Sequence, residues 1–106
     1  MESNMVINTA QMYCDIVEVF FEQNLPNFSL VSKYVYSPYW SVIFELPCIT
    51  IKIGGDLGFS IELLIENTEF HMWQYDRTVN NKMTTSEENV IYQLNILKRF
   101  LNEVGC

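Results

Sequence analysis

The chain is poor in positive charge. Of its 106 residues only six are Lys or Arg, against 13 Asp or Glu, which leaves a net charge of −7. The basic residues do not cluster, and Lys98-Arg99 is the one adjacent pair. A surface this acidic repels nucleic-acid phosphate, so direct nucleic-acid binding is not expected. Histidine is scarcer still. His71 stands alone, with no Cys or carboxylate at ligand spacing around it, so neither a metal site nor a cofactor is expected.

Cysteine is sparse and odd in number. Cys14, Cys48 and Cys106 lie at wide, irregular intervals, which is not the spacing of a disulfide framework. Cys14 and Cys48 sit among apolar neighbours and are expected as buried free thiols. The start of the chain lacks a basic region followed by an apolar run, and no stretch of about 18 apolar residues occurs anywhere. Neither a secretory signal nor a membrane span is therefore expected, and a reducing cytoplasm is the expected compartment. Repeats, low-complexity stretches and linkers are missing too, so residues 1–106 read as one domain.

What the chain does have is apolar mass: 49% of its residues are hydrophobic and 14% aromatic. That is enough to build a core without disulfides or metal, and too much for a disordered acidic chain. The apolar residues also change period along the sequence. From about Met5 to Asn24, Val6, Ala10, Tyr13, Val17, Phe20 and Phe21 recur at three- and four-residue steps, the spacing of one buried helical face. Gln11, Asp15, Glu18 and Glu22 form a polar stripe on the same helix. Asn24 and Pro26 end it, because proline disfavours helical geometry in the residue before it.

From Phe28 to Tyr75 the period is two. Phe28, Leu30, Tyr34 and Tyr36 suggest a first strand, and Ser37-Pro38 a turn. Trp40, Val42, Phe44 and Leu46 alternate with Ser41, Ile43 and Glu45 until Pro47 interrupts the ladder. Ile49, Ile51 and Ile53 continue the pattern up to the turn Gly54-Gly55-Asp56-Leu57-Gly58, whose glycines tolerate positive φ. Phe59, Ile61, Leu63 and Ile65 follow, then a turn at Asn67-Thr68. A last strand is expected to carry Phe70, Met72 and Gln74 on one face and His71, Trp73 and Tyr75 on the other. Connections this short require antiparallel neighbours.

A polar loop over 77–84 leads to a second helix. Thr85 and Glu88 have capping-box spacing, and Val90, Ile91, Leu94, Leu97, Leu101 and Val104 mark its expected buried face. The expected fold is thus α+β, a two-layer sandwich with an N-terminal helix, an antiparallel meander of four to five strands, a C-terminal helix, and both helices on one sheet face.

Each catalytic arrangement lacks a member. A Cys-His pair with Cys14 or Cys48 has no local signature. The glycine-rich turn lacks the P-loop lysine and joins two strands. Glu62 and Glu66, four apart on one expected strand, would be roughly 13 Å apart, too far for a glycosidase pair. The chain is therefore not expected to be an enzyme.

A partner-binding surface fits the residues better. Tyr and Trp are favoured interface anchors. Tyr36, Tyr39 and Trp40 crowd around one turn, while Trp73 and Tyr75 are expected on the outer sheet face with Glu62, Glu66 and Glu69. The stripe Asp15, Glu18, Glu22 is the second candidate surface; its plainer reading is the solvated side of an amphipathic helix.

A short acidic α+β chain with no export signal, no catalytic set and a surplus of acids and aromatics resembles the cytosolic immunity proteins of bacterial contact-dependent growth inhibition systems. The resemblance covers the whole chain in general character and carries over no family residue. It implies a stoichiometric inhibitor that covers the active site or substrate-binding surface of a cognate basic toxin, typically a nuclease. Carboxylates would occupy the toxin's phosphate-binding field and Tyr/Trp anchors would supply desolvated contact. Two other classes stay open: a phage-encoded inhibitor that mimics nucleic acid, in the manner of anti-CRISPR proteins, and a small ligand-binding domain or enzyme working from the sheet.

Overall fold

The computed structural model describes residues 9–104. Its element order is α1 (Thr9–Asn24), β1 (Ser29–Tyr36), β2 (Tyr39–Leu46), β3 (Ile49–Gly55), β4 (Phe59–Ile65), β5 (Thr68–His71), a single helical turn α2 (Met72–Tyr75), a 3-10 turn (Arg77–Asn81) and α3 (Glu87–Val104). The strands form one antiparallel meander in the order β1-β2-β3-β4-β5. This is the expected α+β fold, with the first helix described from Thr9; Met5 to Asn8, Val6 among them, lie outside the described residues.

Side-chain alternation divides the sheet into two faces. Trp40, Val42 and Phe44 of β2, Ile49, Ile51 and Ile53 of β3, and Phe59, Ile61 and Leu63 of β4 are buried on the inner one. They meet Ala10, Cys14, Val17 and Phe21 of α1 and Val90, Leu94, Leu97 and Phe100 of α3 in a single core. Phe21 lies flat on Phe44, 3.8 Å between ring centroids, and Phe100 stacks on Phe70 at 4.9 Å. Both helices therefore cover the same face, and the other face is left to solvent among the described residues.

Several local expectations need correction. On α3, Ile96 and Phe100 are buried while Ile91 and Val104 are exposed. The contact with α1 and α2 turns the helix slightly from the face its aliphatic residues suggest. The helix cap is Ser86, not Thr85: the Asn89 backbone N–H donates to Ser86 Oγ at 3.1 Å, and the Val90 N–H to the Ser86 carbonyl at 2.9 Å. The glycine turn is tight for a different reason than positive φ. A Cβ on Gly55 would stand 2.0 Å from the Gly58 carbonyl oxygen, and one on Gly54 2.4 Å from that of Trp40. Close backbone approach excludes side chains there. The positive φ values fall instead at Glu66 (48°) and Asn67 (69°), which form the two-residue β4–β5 turn.

The loop after α2 is laced to the β3–β4 turn. The Phe59 N–H donates to the Met83 carbonyl and the Thr85 N–H to the Leu57 carbonyl, at 2.9 and 2.8 Å. These bonds set where α3 begins. Of the cysteines, Cys14 is buried and free, and burial pushes its thiol up to about 11. Cys48 is disulfide-bonded, which corrects its reading as a free thiol and removes it from the argument for a reducing compartment. No helix among the described residues is long and apolar enough to cross a membrane.

Candidate functional site

The exposed sheet face is assembled row by row from the strand register, because directly paired residues point to the same side. Tyr36 of β1 pairs with Tyr39 of β2 across the Ser37-Pro38 turn, whose peptide is cis. Tyr34 is two residues behind Tyr36, opposite Ser41, and so shares their face. The next row runs Ser32, Ile43, Lys52, Glu62, His71 across all five strands. The row beyond it runs Ser29, Glu45, Thr50, Leu64, Glu69.

Two patches result. Tyr34, Tyr36 and Tyr39 form an aromatic corner at the β1–β2 end, 56%, 68% and 51% exposed. Glu62, Glu69 and His71 form an acidic corner on β4 and β5. His71 Nε2 is 4.0 Å from Glu69 Oε1, and the His71 ring lies parallel to that of Trp73, 5.9 Å between centroids. The Glu66 carboxylate belongs to the adjoining turn. From Tyr39 to the Glu45 row is six residues along a strand, roughly 20 Å, and from β2 to β5 is three strand spacings, about 14 Å. The two corners thus lie diagonally across one face, on the order of 25 Å apart.

The expected site residues divide accordingly. Tyr36 and Tyr39 flank the turn on the outer face, and Tyr34, two residues from Tyr36, lies beside them. Trp40 does not. It is 2% exposed, on the inner face, with Tyr13 at 5.6 Å and Phe59 at 6.2 Å. Strand alternation forces it there once Tyr39 faces out. Glu62 and Glu69 lie on the outer face, but Glu66 is in the turn, so the expected Glu62–Glu66 strand pair does not form.

Trp73 and Tyr75 are not on a strand at all. The chain leaves the sheet after His71 and coils into α2, so both lose the alternation that would have put them on the outer face. The His71 N–H donates to Gln74 Oε1 at 2.8 Å and holds the start of that turn. Trp73 remains half-exposed beside His71. Tyr75 instead packs on α3, edge-on to Phe100 at 5.1 Å. Its hydroxyl donates to Glu103 Oε2 at 2.7 Å and accepts from Arg99 Nε at 3.3 Å. Arg99 also donates to Asp76 Oδ2 at 2.6 Å. Thr78 donates to the same carboxylate from its hydroxyl and backbone N–H, and these bonds, with Arg99, lower the Asp76 pKa. Tyr75 is therefore a strut between α2 and α3.

On the second candidate surface, Asp15 accepts from Gln11 Nε2 at 2.7 Å and Glu18 pairs with Lys33 Nζ at 2.7 Å. Lys33 reaches Glu18 because its register puts it on the inner face of edge strand β1, toward α1. Only Glu22 of the three is left exposed with no such link. The stripe's main role is to fasten α1 to the sheet edge and to solvate the helix.

Chemically, the outer face offers large amphipathic contact at one corner and negative charge at the other. Among the described residues no group of three or more His, Cys, Asp or Glu is placed to hold a metal ion. No family model matches the chain, and neither does any curated protein or solved structure.

Proposed function

We propose that the chain is a binding protein that neutralises a basic partner by laying its exposed sheet face over that partner's anion-binding surface. The reading follows the resemblance to cytosolic immunity proteins, with a cognate nuclease toxin as the partner that fits best. The observation that carries it is the pairing of an aromatic corner with an acidic corner on one helix-free sheet face. A standard protein interface buries about 800 Å² on each side, roughly 30 Å across. The diagonal between the corners, on the order of 25 Å by strand geometry, fits within one such footprint. Tyr34, Tyr36 and Tyr39 supply desolvated anchors, and Glu62, Glu66 and Glu69 steer a positively charged cleft onto them.

The test is direct. Titration of the purified chain into the basic protein encoded beside its gene is expected to give 1:1 binding that weakens with salt and abolishes that protein's activity. Absence of both binding and neutralisation would sink the proposal.

A further inference from the structure

The helix layer carries a second surface that the sheet-face reading does not use. Beside its buried stripe, α1 bears another apolar row, Met12, Ile16 and Val19, at steps of four and three residues. Ile16 is partly buried against the core, and its neighbours in the row are turned to solvent. Met12 and Val19 are 41% and 46% exposed, although both are large and apolar. Across from them on α3 stands Ile91, 39% exposed. Together with Phe20 and Asp15 they line an open groove of about 390 Å³ between the helices.

The shape and the charge specify the occupant. A groove between two helices, lined by side chains at three- and four-residue steps, accepts the apolar ridge of a third helix. Its polar margin is acidic. Asp15 is in the wall with the neutral Gln23, and Glu87 and Glu88 lie about one turn ahead of Ile91 on α3. The cation nearest along α3, Lys98, is two turns past Ile91 and is held by Asn24, donating to its Oδ1 at 3.0 Å next to Gln23 at the groove's end. A second copy of this chain is a poor occupant, since it would bring a charge of −7 against −7 and set these carboxylates near their own counterparts. We infer that the α1–α3 groove is a docking site for a basic amphipathic helix of a partner protein, whose apolar ridge fills the groove and whose Lys or Arg flanks meet Asp15, Glu87 and Glu88.

An 18-residue peptide of Leu and Lys patterned as an amphipathic helix is a suitable probe. A scrambled peptide of equal composition and a Leu/Glu version serve as controls. Methyl-resolved NMR of the intact chain is expected to show saturable shifts at Met12, Ile16, Val19 and Ile91 with the patterned basic peptide alone. Val19→Ser and Ile91→Ser, both at exposed positions, are each expected to weaken binding at least tenfold. Asp15→Asn is expected to weaken it a few-fold and to flatten its salt dependence. Tyr36→Ser/Tyr39→Ser, on the opposite layer, is expected to leave peptide binding unchanged, which keeps this test separate from that of the sheet face. The inference would be overturned by equal binding of the scrambled peptide, by shifts confined to the sheet-face methyls of Ile43 and Leu64, or by a dimer in light scattering that Val19→Ser dissociates. Absence of any saturable shift would do so as well.

Discussion

Two aromatic stretches of this chain look alike in sequence and end in different roles. Tyr36 to Trp40 and Phe70 to Tyr75 each put several aromatics within six residues, and each straddles the end of a strand. The first stays in the sheet. Tyr36 and Tyr39 pair across a two-residue turn and face outward, so alternation sends Trp40 into the core. The second leaves the sheet at His71, and one helical turn carries Tyr75 back beneath α3 while Trp73 stays at the rim. An aromatic's role is thus decided by whether the strand ladder continues past it. Each stretch carries three Phe, Tyr or Trp residues; the backbone hydrogen bonding differs.

The comparison can be broken most severely at Trp40. Trp40→Ala is expected to cost roughly 3–5 kcal/mol of stability, measured by denaturant unfolding, because it empties the contact between Tyr13 and Phe59. Trp40→Phe sharpens the point. Trp40 Nε1 is buried with no hydrogen-bond partner among the described residues. Removing it relieves an unsatisfied donor and offsets part of the lost contact, so the cost is expected to be about 1 kcal/mol or less. Phe100→Ala strikes the other stretch. It removes the ring on which both Phe70 and Tyr75 pack, with an expected loss of about 3 kcal/mol. Hydrogen exchange should show β5 and α2 loosening ahead of the β1–β2 hairpin.

The outward tyrosines should behave in the opposite sense. Tyr36→Ser and Tyr39→Ser are expected to change stability by only about 0.5 kcal/mol each. In titration calorimetry each should weaken the proposed partner complex about tenfold or more, the loss of an interface anchor. Tyrosine variants that unfold the chain but spare binding would reverse the assignment of the two stretches.

The smallest expected effect is a pH dependence at the α2 strut. Hydrogen bonds from Thr78, then the one from Arg99, hold the Asp76 carboxyl below the ordinary carboxylate range. The folded state therefore binds that proton less readily than the unfolded chain. The resulting stability is present above about pH 4, the ordinary carboxylate range, and is lost as pH falls through the lower folded value. Asp76→Asn is expected to be slightly less stable at neutral pH and to show a shallower acid limb in thermal melts recorded from pH 6 to 2. Because the site is close to solvent, the difference should be modest. An acid limb identical to that of the parent chain would show that Asp76 does not link α2 to α3.

Much of the fold was legible because hydrophobic period reports secondary structure directly. Val42, Phe44, Ile51, Ile53, Ile61 and Leu63 alternate cleanly, and all are buried on one face. Pro47 and the Gly54–Gly58 segment marked strand ends where strands do end. The misreadings fall where pattern alone is ambiguous. Phe70 to Tyr75 alternates well enough for a strand, yet Gln74 bonds back to the His71 N–H and starts a helical turn. Glu66 could be counted into β4 by period, but positive φ makes it a turn residue. The candidate site shared this limit. Its residue types were visible, while their separation into two corners and the burial of Trp40 were not.

By itself, then, the amino-acid order determined the α+β class, the antiparallel meander and the acidic balance. Those features depend on periodicity, turn residues and charge count, all of which act between near neighbours. Only the tertiary structure decided which sheet face the helices would cover, where the last strand would stop, and that Met12, Val19 and Ile91 would meet across a groove. Those outcomes depend on contacts between residues far apart in the chain, and the free energy of packing α1 and α3 against the same sheet settles them together.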